Sequence, residues 1–284
     1  MHFGIHIFPT ESSIQPDELA REAEARGLES LWFSEHTHIP VRFLEAPGRG
    51  PTLPAYYWQT YDIFIAMALA AAVTTRLKLG SGVSLVPEHH PINLAKSTAT
   101  IDVVSRGRFI FGVGVGWNEA EMNDHGVVYR TRYQLLRDAL RAILQIWTEP
   151  EAAYHGRFVS FDKMKEYPKP YQRPHPPIIM GGSHDKALQL AAELCDGWAP
   201  WGMPWDTAKD MIPRLRQLAV QNNRDPASLA ISMYDKTLPD AATLDQMQTA
   251  SVERFILTIY DQPRDQALTS LDSLSGPVSR YSSA

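Results

Sequence analysis

Cysteine is almost absent from these 284 residues: Cys195 is the only one. No internal disulfide and no cysteine-based metal cluster can be built from this chain. Long apolar runs are missing too, since nothing approaches the ~20 residues needed to cross a bilayer. The N-terminus enters an apolar strand pattern at His2 to Phe8 with no basic leader before it. Membrane insertion and secretion are therefore not expected, and the chain reads as cytoplasmic. Excess positive charge is also lacking: 27 Lys and Arg against 32 Asp and Glu leave a formal net charge of -5. That balance carries no nucleic-acid footprint. No short-period repeat is evident, which argues against a solenoid.

What is present is alternation. Apolar runs alternate with helical patterns, the sequence form of repeated βα units and a parallel sheet. Strands are expected at Phe3 to Phe8, Ser30 to Ser34, Leu77 to Val83, Phe109 to Val113, Ile178 to Met180, Gly197 to Pro200, Leu229 to Met233 and Arg254 to Ile259. Eight strands and this length fit an α/β fold, the (β/α)8 TIM barrel, which usually runs ~250 residues as one domain. A single barrel is expected over 1–274, with 39–61 inserted over the C-terminal mouth and 150–177 forming a proline-rich extended strap. The Ser-rich segment 275–284 is expected to be a flexible tail.

Chemistry concentrates where strands end. Gly-rich or Trp-bearing segments close four of them: Leu79 to Ser84, Phe111 to Glu119, Ile178 to Ser183 and Asp196 to Trp198. Glycine lets backbone amides approach a ligand closely, and four such places on one barrel mouth point to one ligand touched from several sides. Gly181-Gly182-Ser183 joins a strand to a helix N-terminus, where free amides and the helix dipole favour a phosphate; a plain N-cap role for Ser183 is the alternative. Gly112, Gly114 and Gly116 are spaced GxGxG at the fourth strand, unlike the GxGxxG of dinucleotide domains. Glu35-His36-Thr37-His38 follows the second strand, where carboxylate and imidazole can bind a cofactor ring, move a proton or hold metal. A metal-dependent barrel hydrolase using His36 and His38 would need further ligands on later strand ends, so no metal is expected. His6, inside the first strand, is expected to be a core histidine.

Ser34-Glu35-His36, Leu79 to Val83, Gly107 to Trp117, Arg173 to Ile178 with Gly181-Gly182, and Asp196-Gly197-Trp198 resemble the bacterial luciferase-like flavin and deazaflavin oxidoreductases. The similarity runs in order from residue 1 to about 235. It implies an oxidoreductase that transfers a hydride between coenzyme F420 and a small organic substrate. The alternatives it leaves open are an FMN-dependent monooxygenase served by a separate reductase, and a flavin-binding protein without turnover. It further implies a non-prolyl cis peptide within Ser81-Gly82-Val83 beneath the ring, phosphate-binding amides at Gly181, Gly182 and Ser183, and cofactor contacts from Gly114, Gly116, Trp117 and Trp198. His36 is expected as the acid/base or ring-polarising group, with Glu35 setting its orientation or contacting the ring. Trp58, Trp117 and Trp201 are expected to wall an apolar substrate pocket. Glucose-6-phosphate dehydrogenases of this family carry a glutamate where Trp117 stands, so a sugar phosphate is not expected. Relatives are usually homodimers, and a homodimer is expected here.

Overall fold

The computed structural model describes residues 1–45 and 53–282. Among them, eight parallel strands form the wall: β1 (His2–Ile7), β2 (Ser30–Phe33), β3 (Lys78–Ser81), β4 (Phe109–Gly114), β5 (Ile178–Gly181), β6 (Gly197–Ala199), β7 (Ala230–Asp235) and β8 (Arg254–Tyr260). They pair in the order β3-β2-β1-β8-β7-β6-β5-β4, and β3 pairs with β4 to close the ring. Between them run α1 (Pro16–Ala25), α2 (Ile63–Val73), α3 (Pro91–Val104), α4 (Arg132–Thr148), α5 (Asp185–Leu194), α6 (Trp205–Gln221) and α7 (Ala241–Thr249), with α8 (Arg264–Ser273) after the last strand. This is the expected TIM barrel. Within the expected strap 150–177, an antiparallel hairpin, Ala152–His155 with Ser160–Met164, comes before the run of prolines. Among the described residues no helix is long and apolar enough to cross a membrane.

The strands are short and buried on both faces, which is why they read as nearly continuous apolar runs. Phe3, Ile5 and Ile7 of β1 face the helical layer, where most of the core lies. A separate cluster of Trp32, Ile110, Ile179, Ala199, Tyr234 and Ile256 fills the barrel interior. Trp32 is large for that space, and Gly80 makes the room: a Cβ there would lie 2.2 Å from the indole. Gly112 likewise gives way to the Ser81 carbonyl oxygen, 1.8 Å from where its Cβ would be. The glycine segments are thus not wholly turned to a ligand. Some of their glycines serve the barrel's own packing.

At the base of the barrel, Arg254 opens β8 and donates to Glu29 at 2.9 Å and to Ser232 at 3.1 Å. Burial alone would raise the Glu29 carboxyl, but the charge and hydrogen bonds of Arg254, with Lys78 and Ser30, together outweigh it and pull the group down to about 2. The C-terminal segment departs from the flexible tail expected of it, since Ser275–Tyr281 is a helix. Tyr281 secures it: the ring packs 6.1 Å from that of Phe3, and the hydroxyl donates to Asp245 at 2.7 Å. The Met1 amino group closes the contact by donating to the Tyr281 carbonyl at 3.0 Å.

Candidate active site

A cavity of about 560 Å³ opens at the C-terminal ends of the strands. Of the residues expected there, Glu35, His36, Gly82, Val83, Gly114, Gly116, Trp117, Gly181, Gly182, Ser183 and Trp201 line it. The non-prolyl cis bond implied by the family resemblance lies at Gly82–Val83, between β3 and the short strand Ser84–Leu85.

Three expected residues are not on the lining. Ser81 is turned into the wall, where its hydroxyl donates to the Gly112 carbonyl at 2.7 Å and ties β3 to β4. Trp198 is fully buried, and its indole N–H donates to the Gly182 carbonyl at 2.8 Å. It supports the lining from behind. Trp58 is 39% exposed, on the helix Tyr56–Gln59. Successive helical residues point about 100° apart, and it is the neighbouring Tyr57 that faces the cavity. From the same inserted region Leu53 also lines it; 46–52 lie outside the described residues.

His36 is held differently from expectation. Its Nδ1 meets Glu121 at 2.7 Å, and the same carboxylate accepts the Thr37 amide at 3.0 Å. Trp117 donates its indole N–H to His36 Nε2 at 3.3 Å. With Nε2 accepting, Nδ1 carries the proton and donates to Glu121. Glu35 does not orient His36. It accepts from the Leu85 amide at 2.6 Å, the Ser84 hydroxyl at 3.0 Å and His89 Nε2 at 2.9 Å. Burial would raise its pKa, but His89 and these donors outweigh that and hold it below the usual carboxylate range. The same partnership raises the pKa of His89 against the effect of its own burial.

Glu121 escapes a sequence reading. It lies in the first turn of Glu119–Asp124, a helix capped by Asn118, whose side chain accepts the Ala120 amide at 3.1 Å. A carboxylate three residues after a cap ordinarily serves that cap. Only the folded chain shows that it turns instead to a histidine 85 residues earlier. The one local signal is its place just after Gly116-Trp117.

Aromatic rings finish this end of the cavity. Tyr57 and Trp117 stand 5.3 and 5.6 Å from the His36 ring and 5.8 Å from each other. His38 does not join His36: it is directed to Asp124 at 3.2 Å and Thr37 at 2.9 Å, on the exposed side. The pair on which a hydrolase would rest therefore does not converge. His6 is the core histidine expected, set between Ser34 at 2.7 Å and Thr258 at 3.3 Å, and burial pushes it down to about 3.

At the other end lie Gly181, Gly182 and Ser183. Gly182 has φ +101°, a conformation that side-chain-bearing residues rarely adopt. Ser183 is not the cap of α5; His184 occupies that position and makes no side-chain capping bond. Arg132 also lines this end, its guanidinium 3.6 Å above the Tyr129 ring and its Nε buried without a hydrogen-bond partner. Among the described residues no carboxylate pairs with Arg132. An uncapped helix start beside an unpaired guanidinium favours an anion.

Residues 11–267 match a family model described as luciferase-like monooxygenase. An uncharacterized protein of Mycobacterium tuberculosis is 36% identical over 283 residues, covering 98% of this chain and 99% of its own. An FMNH2-dependent dimethylsulfone monooxygenase of Pseudomonas putida is 33% identical over 167 residues, 58% of this chain and 46% of that protein. An F420-dependent hydroxymycolic acid dehydrogenase of M. tuberculosis is 26% identical over 264 residues, 88% of this chain and 69% of that protein. Among solved structures, a monooxygenase from Streptomyces bottropensis superposes with a TM-score of 0.80 at 18% identity over the whole of both chains. The F420-dependent tetrahydromethanopterin reductase of Methanopyrus kandleri gives 0.75 at 16% identity, covering 96% of this chain and 97% of its own.

Proposed function

This chain belongs to the luciferase-like monooxygenase family, and from that premise we propose that it is an F420-dependent oxidoreductase acting on a small apolar substrate. The observation that carries this reading is the layout of one cleft. A histidine fixed by a carboxylate stands at one end, the Gly82–Val83 bulge lies between, and an uncapped helix start with Arg132 forms the other end. When bound, F420 supplies a hydride from its deazaflavin ring.

The residues of the chain do the rest. Gly181, Gly182, Ser183 and Arg132 hold the phosphate, with Gly114 and Gly116 against the cofactor. Glu121 keeps the His36 proton on Nδ1, so Nε2, which accepts the Trp117 indole N–H in this structure, is the nitrogen that takes a proton from an alcohol once the substrate replaces that contact. In the reverse direction the imidazolium gives one to a reduced carbonyl or alkene. Tyr57, Trp117 and Trp201 exclude water and orient the substrate. Beyond Trp201 lies a second hollow of about 410 Å³. Around His36 the walls are aromatic rings, which suit a neutral organic molecule, while the second hollow adds Asp235 and Lys236. A homodimer is supported by α2, which carries no charged residue and leaves Ile65 65% exposed. Light scattering of the purified protein reads that state.

An FMN-dependent monooxygenase is the second reading, favoured by the likeness to the dimethylsulfone enzyme. Titration of F420 and of FMN into the protein, each followed by the change in ring absorbance, separates the two. Micromolar or tighter F420 binding with much weaker FMN binding is expected. The reverse order would replace the proposal with the second reading, and binding of neither would remove both.

A further inference from the structure

Behind the cavity wall that carries His36, three glutamates face three histidines. Glu121 holds His36 at 2.7 Å and Glu35 meets His89 at 2.9 Å. The third, Glu88, comes only within 3.7 Å of His125 Nε2. Its side chain is 2% exposed, and neither carboxyl oxygen has a hydrogen-bond partner. Glu88 ends the tight turn Val86–Glu88, which directly follows the strand leading out of the Gly82–Val83 bulge. It packs behind Gly116 of the cavity lining, where a Cβ would come within 3.4 Å of its Oε1.

We propose that Glu88 is a positioning residue: a carboxyl kept neutral behind the cavity, whose charge state sets, together with Glu121, how strongly His36 holds its proton. The proposal rests on His36 as the proton-handling group of the function proposed above. Glu35 and Glu121 are each surrounded by donors, whereas Glu88 has none. An ionised carboxylate buried without a donor is costly, and here it would stand beside two others. Burial first, and then the charges of Glu121 and Glu35, push the Glu88 carboxyl up to about 9.

The groups facing Glu88 come from three directions: Glu35 after β2, Glu121 from the helix Glu119–Asp124, and His125 just beyond that helix. His125 in turn hydrogen-bonds Thr37 at 2.7 Å and feels the charges of His38 and His89. His125 is itself lowered, by burial first and then by His38, so it supplies no cation to pair Glu88 at neutral pH. Neutral Glu88 leaves Glu121 as the carboxylate acting on His36 Nδ1. Ionised Glu88 adds a negative charge nearby and makes Nε2 a stronger base. By reciprocity, a proton arriving on His36 eases the ionisation of Glu88. No proton passes between the two; the coupling is through charge alone.

Glu88→Gln fixes the neutral form with the same shape, and Glu88→Met does so without polar atoms should the amide disturb packing. In cofactor-free protein, the infrared band of a buried protonated carboxyl at pH 7 is expected in the wild type and lost in both variants. The NMR titration of the His36 ring is expected to show a second inflection near pH 9 that both variants lack. In single-turnover kinetics in the direction where His36 accepts a proton, the wild-type rate should rise about threefold or more above that inflection while Glu88→Gln stays flat. His36 titrations that superimpose in wild type and both variants would overturn the proposal, as would a carboxyl band that survives the substitutions. The infrared and NMR readouts need no cofactor. They can therefore hold even if F420 and FMN both fail to bind, so the two failures are told apart.

Discussion

In the proposed reaction His36 handles the proton because Glu121 fixes which nitrogen holds it. His36→Ala should lower the single-turnover rate by about 10²- to 10⁴-fold with a much smaller effect on cofactor affinity. His36→Asn can still donate or accept a hydrogen bond but cannot exchange a proton at neutral pH, so it should be nearly as slow. A fast Asn variant would make His36 a ring-positioning group instead. Glu121→Gln keeps a hydrogen-bond acceptor for Nδ1–H but removes the charge that stabilises the imidazolium. A loss of about 10- to 100-fold is expected, as for other outer partners of a working histidine. At this scale the sequence showed the imidazole, since His36 stands next to an acid at a strand end. It could not show the partner. Glu35 was the nearer carboxylate, yet Ser84, Leu85 and His89 occupy it.

Between elements, the junction of β5 and α5 is the proposed anion site. Gly182 at φ +101° would be strained by any side chain, and the Cβ of Ala187 stands 3.4 Å from where its own would be. Gly182→Ala should loosen cofactor binding by roughly tenfold, for a strain of one to a few kcal/mol. Arg132→Met removes the unpaired guanidinium and should weaken binding by about 10- to 100-fold, the worth of charge-assisted hydrogen bonds to phosphate. Equilibrium titration checks both, and affinities equal to wild type would move the anion site elsewhere. The glycine pair was readable beforehand because it breaks between a strand and a helix. Arg132 was not, because it opens a different helix, α4, and arrives at this junction only through the curvature of the barrel.

For the molecule as a whole, the Glu29–Arg254 pair at the barrel base ties stability to pH. The Glu29 carboxyl is at about 2 when folded against a usual 4.5, so its contribution is fully present above about pH 4.5. As pH falls through 4.5 toward 2 the unfolded chain takes up a proton there that the folded protein does not, and on the order of 3 kcal/mol is lost. Denaturant melts of the wild type should show this loss between those limits. Glu29→Gln should flatten that part of the curve and destabilise the protein at pH 7, because buried Arg254 then keeps only the more exposed Glu253 carboxylate. A Gln variant with wild-type stability at pH 7 would show the pair to be unimportant.

The sequence by itself determined the repeated βα order and the place of the ligand mouth. Buried strands of three to seven residues, glycines at their ends and helices between them leave few alternatives to a closed parallel barrel. It also placed His36 and Gly181–Ser183, because local motifs mark where a strand stops and where a helix begins. Only the tertiary structure decided which side chains meet. Trp58 and Tyr57 are adjacent in sequence, yet one helical step turns the first out and the second in. Gly80 lies in the same glycine segment as Gly82, yet it makes room for Trp32. Ser275–Tyr281 had the composition of a tail, but Tyr281 finds Phe3 and Asp245 and orders it. Glu88 and Glu121 acquire their roles from burial beside each other, a property of distance in space that neither spacing nor composition contains.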